Sequence, residues 1–345
     1  MKLGLLGFSG TNISSRTNNL GIYRPESNRH TQDFNGNAKT YQYVGKFPLS
    51  FSGATETSIT GLTFGSNGTY VYVMGNGTDT VYQYTLNIPW DITSYSSVNP
   101  TASRELTSYL LSRTGNNFSL ISGQGISFNS DGSKMHVIDN FDNKIVQFSL
   151  GTNWMVNTAT FPTSSPWPIT YTYNLGSEET AGRRDDYDLC FSPDGTLLFL
   201  IGRNSSSGTS VYKYTLNSGA TPFDIGTTNA SDSSTSPNYT YSSKSSVNGV
   251  DPNMRGISFN DSGSKCYLCG LTNSWTHEIN LSSPYTFAST YALGNLNIGN
   301  ILYDGNITGG EGAPEAVFIN TQNNNSDLYI VGVNETIYQY KMILK

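Results

Sequence analysis

Gly61-Leu-Thr-Phe64-Gly-Ser-Asn-Gly68-Thr-Tyr-Val-Tyr-Val-Met74 returns three times along the chain. The copies are Gly125-Ile-Ser-Phe128-Asn-Ser-Asp-Gly132-Ser-Lys-Met-His-Val-Ile138, Asp188-Leu-Cys-Phe191-Ser-Pro-Asp-Gly195-Thr-Leu-Leu-Phe-Leu-Ile201 and Gly256-Ile-Ser-Phe259-Asn-Asp-Ser-Gly263-Ser-Lys-Cys-Tyr-Leu-Cys269. A degenerate fifth copy runs from Glu315-Ala-Val-Phe318 to Leu328-Tyr-Ile-Val331. Each is an apolar strand, a turn of Asn, Asp and Gly, and a second apolar strand, which together read as a hairpin. The marker phenylalanines 64, 128, 191, 259 and 318 recur at roughly sixty to seventy residues, a period that belongs to one repeated architecture.

Outward from each hairpin comes a third strand: Thr80 to Leu86, Lys144 to Leu150, Ser210 to Leu216, Thr276 to Leu281 and Thr336 to Met342. An aromatic turn follows as Pro89-Trp-Asp-Ile92, Asn153-Trp-Met-Val156, Pro222-Phe-Asp-Ile225 or Pro284-Tyr-Thr-Phe287. Recurring once per repeat, these aromatics read as packing anchors rather than a carbohydrate platform. A variable fourth strand is expected at Glu105 to Leu111, Ile169 to Tyr173, Tyr239 to Tyr241 and Thr290 to Leu296. The last repeat has none, because the chain ends at Lys345. Thr40-Tyr-Gln-Tyr43-Val-Gly-Lys-Phe47, ahead of the first repeat, supplies it. Four strands per repeat with the seam closed from the other terminus define an all-β, five-bladed β-propeller, its last blade completed by the N-terminal strand and preceded by an extended N-terminal arm. Residues 1–38 are the arm and 39–345 the propeller.

Composition agrees. Of 345 residues only 13% are charged while 12% are aromatic, with 23 Tyr and 35 Gly, as many short strands joined by turns require. A net charge of −6 and no basic cluster beyond Arg183-Arg184 argue against nucleic acid as a partner. No apolar run is long enough for membrane insertion, and no export signal is expected. Cys190, Cys266 and Cys269 are too few for a disulfide framework. Cys266 and Cys269 have metal-pair spacing, but three residues apart in a strand they face opposite sides, so they read as buried structural thiols. The Asn-x-Ser/Thr triplets, such as Asn67-Gly-Thr69 and Asn334-Glu-Thr336, follow from a composition rich in those residues.

Phe191-Ser-Pro-Asp-Gly195, with Gly-Thr-Tyr-Val-Tyr-Val at 68 to 73, resembles the repeats of the YVTN and WD-repeat-like propeller families. The fuller form, from Gly61 through Thr80-Val-Tyr-Gln-Tyr-Thr-Leu86 to Pro89-Trp-Asp-Ile92, is similar to repeats in virion proteins of bacteriophages. The resemblance spans residues 58 to 345. It implies a virion location, assembled in the host cytoplasm, in a tail- or fibre-associated setting. It fixes function poorly, since propellers host enzymes, lectins and scaffolds alike.

If the first strand of each blade lines the channel, the position three before the marker phenylalanine is Gly61, Gly125, Asp188, Gly256 and Glu315, and Arg255 lies one residue further back in the fourth blade. Two carboxylates near one mouth of the channel, with Arg255 from the blade between them, form the sharpest constellation, and a glycosidase would use two such carboxylates as acid and base or nucleophile. The alternative is that Asp188 and Glu315 pair with Arg255 or solvate the channel mouth, and it is favoured because neither acid sits in a hydrolase motif. No catalytic residue is therefore assigned, with Asp188, Glu315 and Arg255 as the weak candidates. His30, His136 and His277 are scattered and form no triad or metal set. Asp131-Gly132, Asp194-Gly195 and Asp261-Ser-Gly263 read as turn chemistry rather than calcium loops. Neither metal nor cofactor is expected.

The arm has little periodicity and too little surface to fold alone. Leu3, Leu5, Leu6, Phe8, Leu20, Ile22 and Tyr23 give it apolar handholds suited to anchoring on other virion proteins. The expectation is a non-enzymatic virion structural or adhesion protein, anchored by the arm and displaying the propeller and its variable loops, at Ser97 to Arg104, Phe161 to Pro168 and Gly226 to Pro237, to a host-surface glycan or protein. The alternatives are a carbohydrate-binding propeller and, less favoured, a five-bladed glycoside hydrolase.

Overall fold

The computed structural model describes residues 30–32, 38–51, 56, 58–114, 122–140, 144–161, 185–204, 208–216, 222–225, 239–242, 253–271, 275–281, 283–287, 293–296, 313–322 and 327–344. Five small antiparallel sheets make five blades. Two strands precede the first hairpin, β1 (His30–Gln32) and β2 (Ala38–Pro48). Blade 1 is β3 (Ile59–Gly65), β4 (Tyr70–Gly75), β5 (Thr80–Thr85) and β6 (Ala102–Glu105), and helix α1 (Thr107–Thr114) follows it. Blade 2 is β7 (Gly123–Phe128), β8 (Lys134–Asp139), β9 (Lys144–Leu150) and the short β10 (Ala159–Thr160). Blade 3 is β11 (Asp185–Phe191), β12 (Leu197–Asn204), β13 (Gly208–Thr215) and β14 (Tyr239–Ser242). Blade 4 is β15 (Met254–Phe259), β16 (Lys265–Gly270), β17 (Trp275–Asn280) and β18 (Leu293–Leu296). Blade 5 joins β19 (Pro314–Asn320), β20 (Asp327–Gly332) and β21 (Thr336–Leu344) to β2 and, beyond it, β1.

The seam is the expected one. β2 pairs with β21 from Lys39↔Leu344 to Pro48↔Thr336, so the N-terminal strand is the fourth strand of the last blade. Most of the arm, residues 1–29 and 33–37, lies outside the described residues, and with it Leu3, Leu5, Leu6, Phe8, Leu20, Ile22 and Tyr23.

Blades pack face to face, so their strands need apolar groups on both sides, and every residue of β3 is buried. The core accordingly divides into five clusters, one at each blade junction. At the seam Phe47 of β2 joins Tyr84, Ile92 and Tyr329 in one cluster. The two cysteines of β16 fall in different clusters, Cys266 toward blade 3 and Cys269 toward blade 5, as opposite strand faces demand.

The fourth strand of blade 1 differs from expectation. It is β6, at Ala102–Glu105, and the stretch expected to extend from Glu105 to Leu111 is mostly α1. Leu106 and Leu110, four apart and both fully buried, follow the helical period. Part of the expected loop at 97–104 is therefore the outer strand itself. β14 and β18 fall within or beside their expected stretches. Residues 169–173 and 226–237 lie outside the described residues.

Candidate functional site

The inner strands β3, β7, β11, β15 and β19 surround a central channel, and each carries a register shift near its start. There the inner strands approach closely. A Cβ on Gly125 would sit 2.5 Å from the Asp188 Cα, and one on Gly256 would sit 2.7 Å from the Val317 nitrogen. Glycine is required at such contacts, and the two acids in the same column have to reach elsewhere.

Asp188 uses both carboxylate oxygens on backbone. Oδ1 accepts the Leu189 N–H at 2.9 Å and Oδ2 accepts the Ile257 N–H at 3.0 Å, which ties the inner strands of blades 3 and 4 together. Burial holds its carboxyl well above the usual carboxylate range, against the opposing pull of those two N–H groups. Glu315 meets Arg255 instead, with Oε2 3.8 Å from Nε, and the Arg255 guanidinium lies 3.7 Å over the Tyr187 ring. Burial raises the Glu315 carboxyl and Arg255 opposes the rise. The structure thus brings Glu315 and Arg255 into an ion pair and gives Asp188 a separate backbone role.

His136 and His277 are buried in different blades, as the sequence indicates. Burial pushes the Cys190 and Cys266 thiols up, which disfavours the nucleophilic thiolate. Asp131 accepts the Ser133 N–H at 2.9 Å and Asp194 accepts the Thr196 N–H at 3.1 Å, the local bonds of turn residues. Among the described residues no three or more His, Cys, Asp or Glu side chains converge as a metal-ligand set.

The other end of the channel is aromatic. Four of the five marker phenylalanines lie against their own blade's turn aromatic, with ring centroids 5.3 Å apart for Phe64–Trp90, 5.6 Å for Phe128–Trp154, 5.4 Å for Phe191–Phe223 and 5.3 Å for Phe259–Tyr285. The four turn aromatics have φ of +57° to +68°, a region that costs a bulky residue about 1–2 kcal/mol. Two contacts offset that cost. Each turn aromatic donates its N–H to the turn glycine carbonyl, at 2.8 Å for Trp154 and Gly132, and its ring lies flat on that glycine. Replacing Gly132, at φ +72°, with alanine would put a Cβ 2.1 Å from the indole, and about 2 kcal/mol of stability should be lost. Gly151, whose Cβ would meet nothing nearer than 3.6 Å, should tolerate alanine within about 0.5 kcal/mol in the same urea titration.

The second contact comes from the preceding blade. Tyr72 donates its hydroxyl to the Trp154 carbonyl at 2.7 Å, and Gln83 Oε1 accepts the Val156 N–H at 3.2 Å. His136 and Gln147 hold Phe223 and Ile225 in the same way, and Tyr329 and Gln339 hold Trp90 and Ile92. Lys213 Nζ donates to the Tyr285 carbonyl at 3.0 Å. These latches were missed in the sequence reading, although their signal is present: a glutamine recurs in the middle of an otherwise apolar third strand, and Gln83 is fully buried.

Inside the aromatic ring lies a cavity of about 340 Å³ that opens between the turns. Trp154, Phe223 and Tyr285 stand on its rim with Ser130, Asn260 and Gln322. Three of the four turn aromatics, expected as packing anchors, therefore do both things: Trp154, Phe223 and Tyr285 pack on the turn glycines and line the cavity. Concave sites that bring aromatic and polar groups together are where small ligands bind.

Five blades around one channel define the class as a five-bladed β-propeller. Among similar solved structures, a luciferin-regenerating enzyme is 11% identical with a TM-score of 0.44, covering 83% of this chain and 72% of its own. A calcium-binding protein, regucalcin, from Agrobacterium tumefaciens is 11% identical with a TM-score of 0.41, covering 84% and 71%. No family model and no curated protein matches the chain. At that identity the likeness concerns fold alone. The expectation of a non-enzymatic protein is nevertheless corrected: a structure named as an enzyme is among the similar ones, and a propeller fold by itself does not exclude catalysis.

Proposed function

We propose that the chain is a recognition propeller that binds a saccharide at the aromatic mouth of its channel and serves host attachment from a virion. The observation that carries the reading is the cavity of about 340 Å³ rimmed by Trp154, Phe223 and Tyr285 with hydroxyl and amide side chains between them. Aromatic faces stack on the apolar face of a sugar ring, and neutral hydroxyls and amides suit its hydroxyl groups. The virion setting is supported by the form of the repeat from Gly61 to Ile92, and the arm, with its apolar residues from Leu3 to Tyr23, would engage other virion proteins.

A glycan array probed with the full chain tests the binding. Retention of a defined glycan, weakened about tenfold or more by Trp154→Ala, is the expected result, tenfold being about 1.4 kcal/mol. Retention of nothing, or binding indifferent to Trp154→Ala, would reject the mouth as the site. Mass spectrometry of purified particles from an expressing host tests the setting separately.

A further inference from the structure

The cavity at the aromatic mouth is bordered by charge of one sign. Its charged lining side chains are Asp188 and Asp261, and no Lys, Arg or His borders it among the described residues. Asp188 is buried and places both oxygens on the Leu189 and Ile257 N–H groups, so it offers a ligand little. Asp261 is exposed, and its backbone carbonyl accepts the Tyr285 hydroxyl at 3.2 Å, which fixes this turn against a rim aromatic. The same pairing recurs around the rim. Trp154, Phe223 and Tyr285 lie on Gly132, Gly195 and Gly263, and an exposed aspartate stands one or two residues before each of those glycines, as Asp131, Asp194 and Asp261. Blade 1 lacks both features at the cavity: its hairpin turn has Ser66 and Asn67 before Gly68, and Trp90 does not line the cavity.

Local hydrogen bonds keep two of these acids ionised. Ser133 holds the Asp131 carboxyl below the usual carboxylate range, and Ser192 and Thr196 do the same for Asp194. The lysines of the adjoining strands are engaged: Lys134 pairs with Asp224 at 3.1 Å, Lys265 with Glu278 at 2.6 Å, and Lys213 donates to the Tyr285 carbonyl. Burial pushes the Tyr285 hydroxyl up to about 12, with Cys190, Asp194 and Asp261 adding to the rise, so the field of two of the acids reaches the rim. Salt screens exposed charges beyond about 8–10 Å, which confines their effect to a group held at the mouth itself. An ammonium group is attracted by aromatic faces and by carboxylates alike, whereas an anion is repelled by the carboxylates.

We infer that the saccharide this mouth selects carries a free ammonium group, as an amino sugar without an N-acetyl group does, with Asp131, Asp194 and Asp261 setting the preference. This rests on the saccharide reading of the mouth and adds the charge of the ligand to it. N-acetylation turns the ammonium into a neutral amide, and a uronic acid brings a carboxylate, so both are disfavoured at the same aromatic site.

Calorimetric titration of the full chain at about pH 6, where the sugar amine is protonated, tests the preference with a short glucosamine oligosaccharide, its fully N-acetylated form and a uronic-acid oligosaccharide of equal length. The free amine should bind about tenfold more tightly than the N-acetylated form, the combined scale of a cation on an aromatic ring and exposed ion pairs, and the uronic acid should not bind. Asp261→Asn should remove most of that preference. Glu335→Gln makes the same change in net charge in the turn between β20 and β21, at the end of blade 5 away from Gln322 and the mouth, and should keep it. Equal or tighter binding of the N-acetylated form or the uronic acid, binding of none of the three, or an equal response to the two variants would overturn the inference. Failure of the mouth as a saccharide site reads differently, since binding of any of the three would then be indifferent to Trp154→Ala.

Discussion

Phe47→Ala is expected to lower folding stability by about 3–5 kcal/mol, the range for deleting a large buried aromatic. Phe47 is fully buried on β2, where it stacks on Tyr95 at 4.3 Å and meets the edge of Tyr84 at 5.2 Å. Both partners belong to blade 1 and its turn, so this one side chain binds the borrowed strand of blade 5 to the next blade. Tyr84 is held in turn by a hydroxyl bond to the Ser50 carbonyl at 2.9 Å, so the surroundings have little freedom to collapse into the space left. Val44, 42% exposed on the same strand, is the control, and Val44→Ala should change stability by no more than about 0.5 kcal/mol. Urea unfolding of the two variants decides the matter, and equal effects would mean that β2 does not seal the ring.

The second large effect is a pH dependence at the junction of blades 2 and 3. His136 is fully buried, and because the Phe223 carbonyl can only accept, the ring must donate from Nε2, at 2.9 Å. Nδ1 is then a buried acceptor without a hydrogen-bond partner. Burial pushes the imidazole down to about 4, while the bonds to Phe223 and Gln147 pull the other way. With a folded value below the unfolded one, the native state binds fewer protons. The contribution to stability is therefore complete above about pH 6.5 and is lost as pH falls toward 4, by about 3 kcal/mol over the window. Asp188 works in the opposite sense, since its raised carboxyl favours the native state at low pH and loses that contribution as pH rises. The difference between two chains separates them. Blades 1, 4 and 5 carry tyrosine at the position of His136, so His136→Tyr restores the common latch. Unfolding free energies at pH 7.5 and 4.5 should show the unmodified chain losing about 3 kcal/mol more than His136→Tyr on acidification. Parallel losses would remove His136 as the cause.

The repeat was legible because hairpin chemistry and strand burial act locally: the turn residues around Gly68, Gly132, Gly195 and Gly263 and the phenylalanines ahead of them fix each inner pair of strands. The seam was legible from a missing strand at one end and an extra Tyr-rich one at the other. The outer strand of blade 1 was not, because Ala-Ser-Arg-Glu at 102–105 is half exposed and has no apolar alternation, its hold coming from Arg104 donating to the Asn157 and Ala159 carbonyls of blade 2. The column of Asp188 and Glu315 was found by alignment, yet sequence could not say that one would reach a neighbouring backbone and the other an arginine. Nor could it separate an aromatic that packs from one that also borders a cavity, since Trp154 does both.

Thermal unfolding of two truncated chains tests the ring closure most directly. Removal of residues 39–50 takes away β2, its ladder to β21 and Phe47, and should abolish the cooperative transition or lower the Tm by well over about 10 °C, whereas removal of residues 1–29 should shift it by no more than about 4 °C. Equal melting temperatures for the two truncations would contradict a propeller closed by its N-terminal strand.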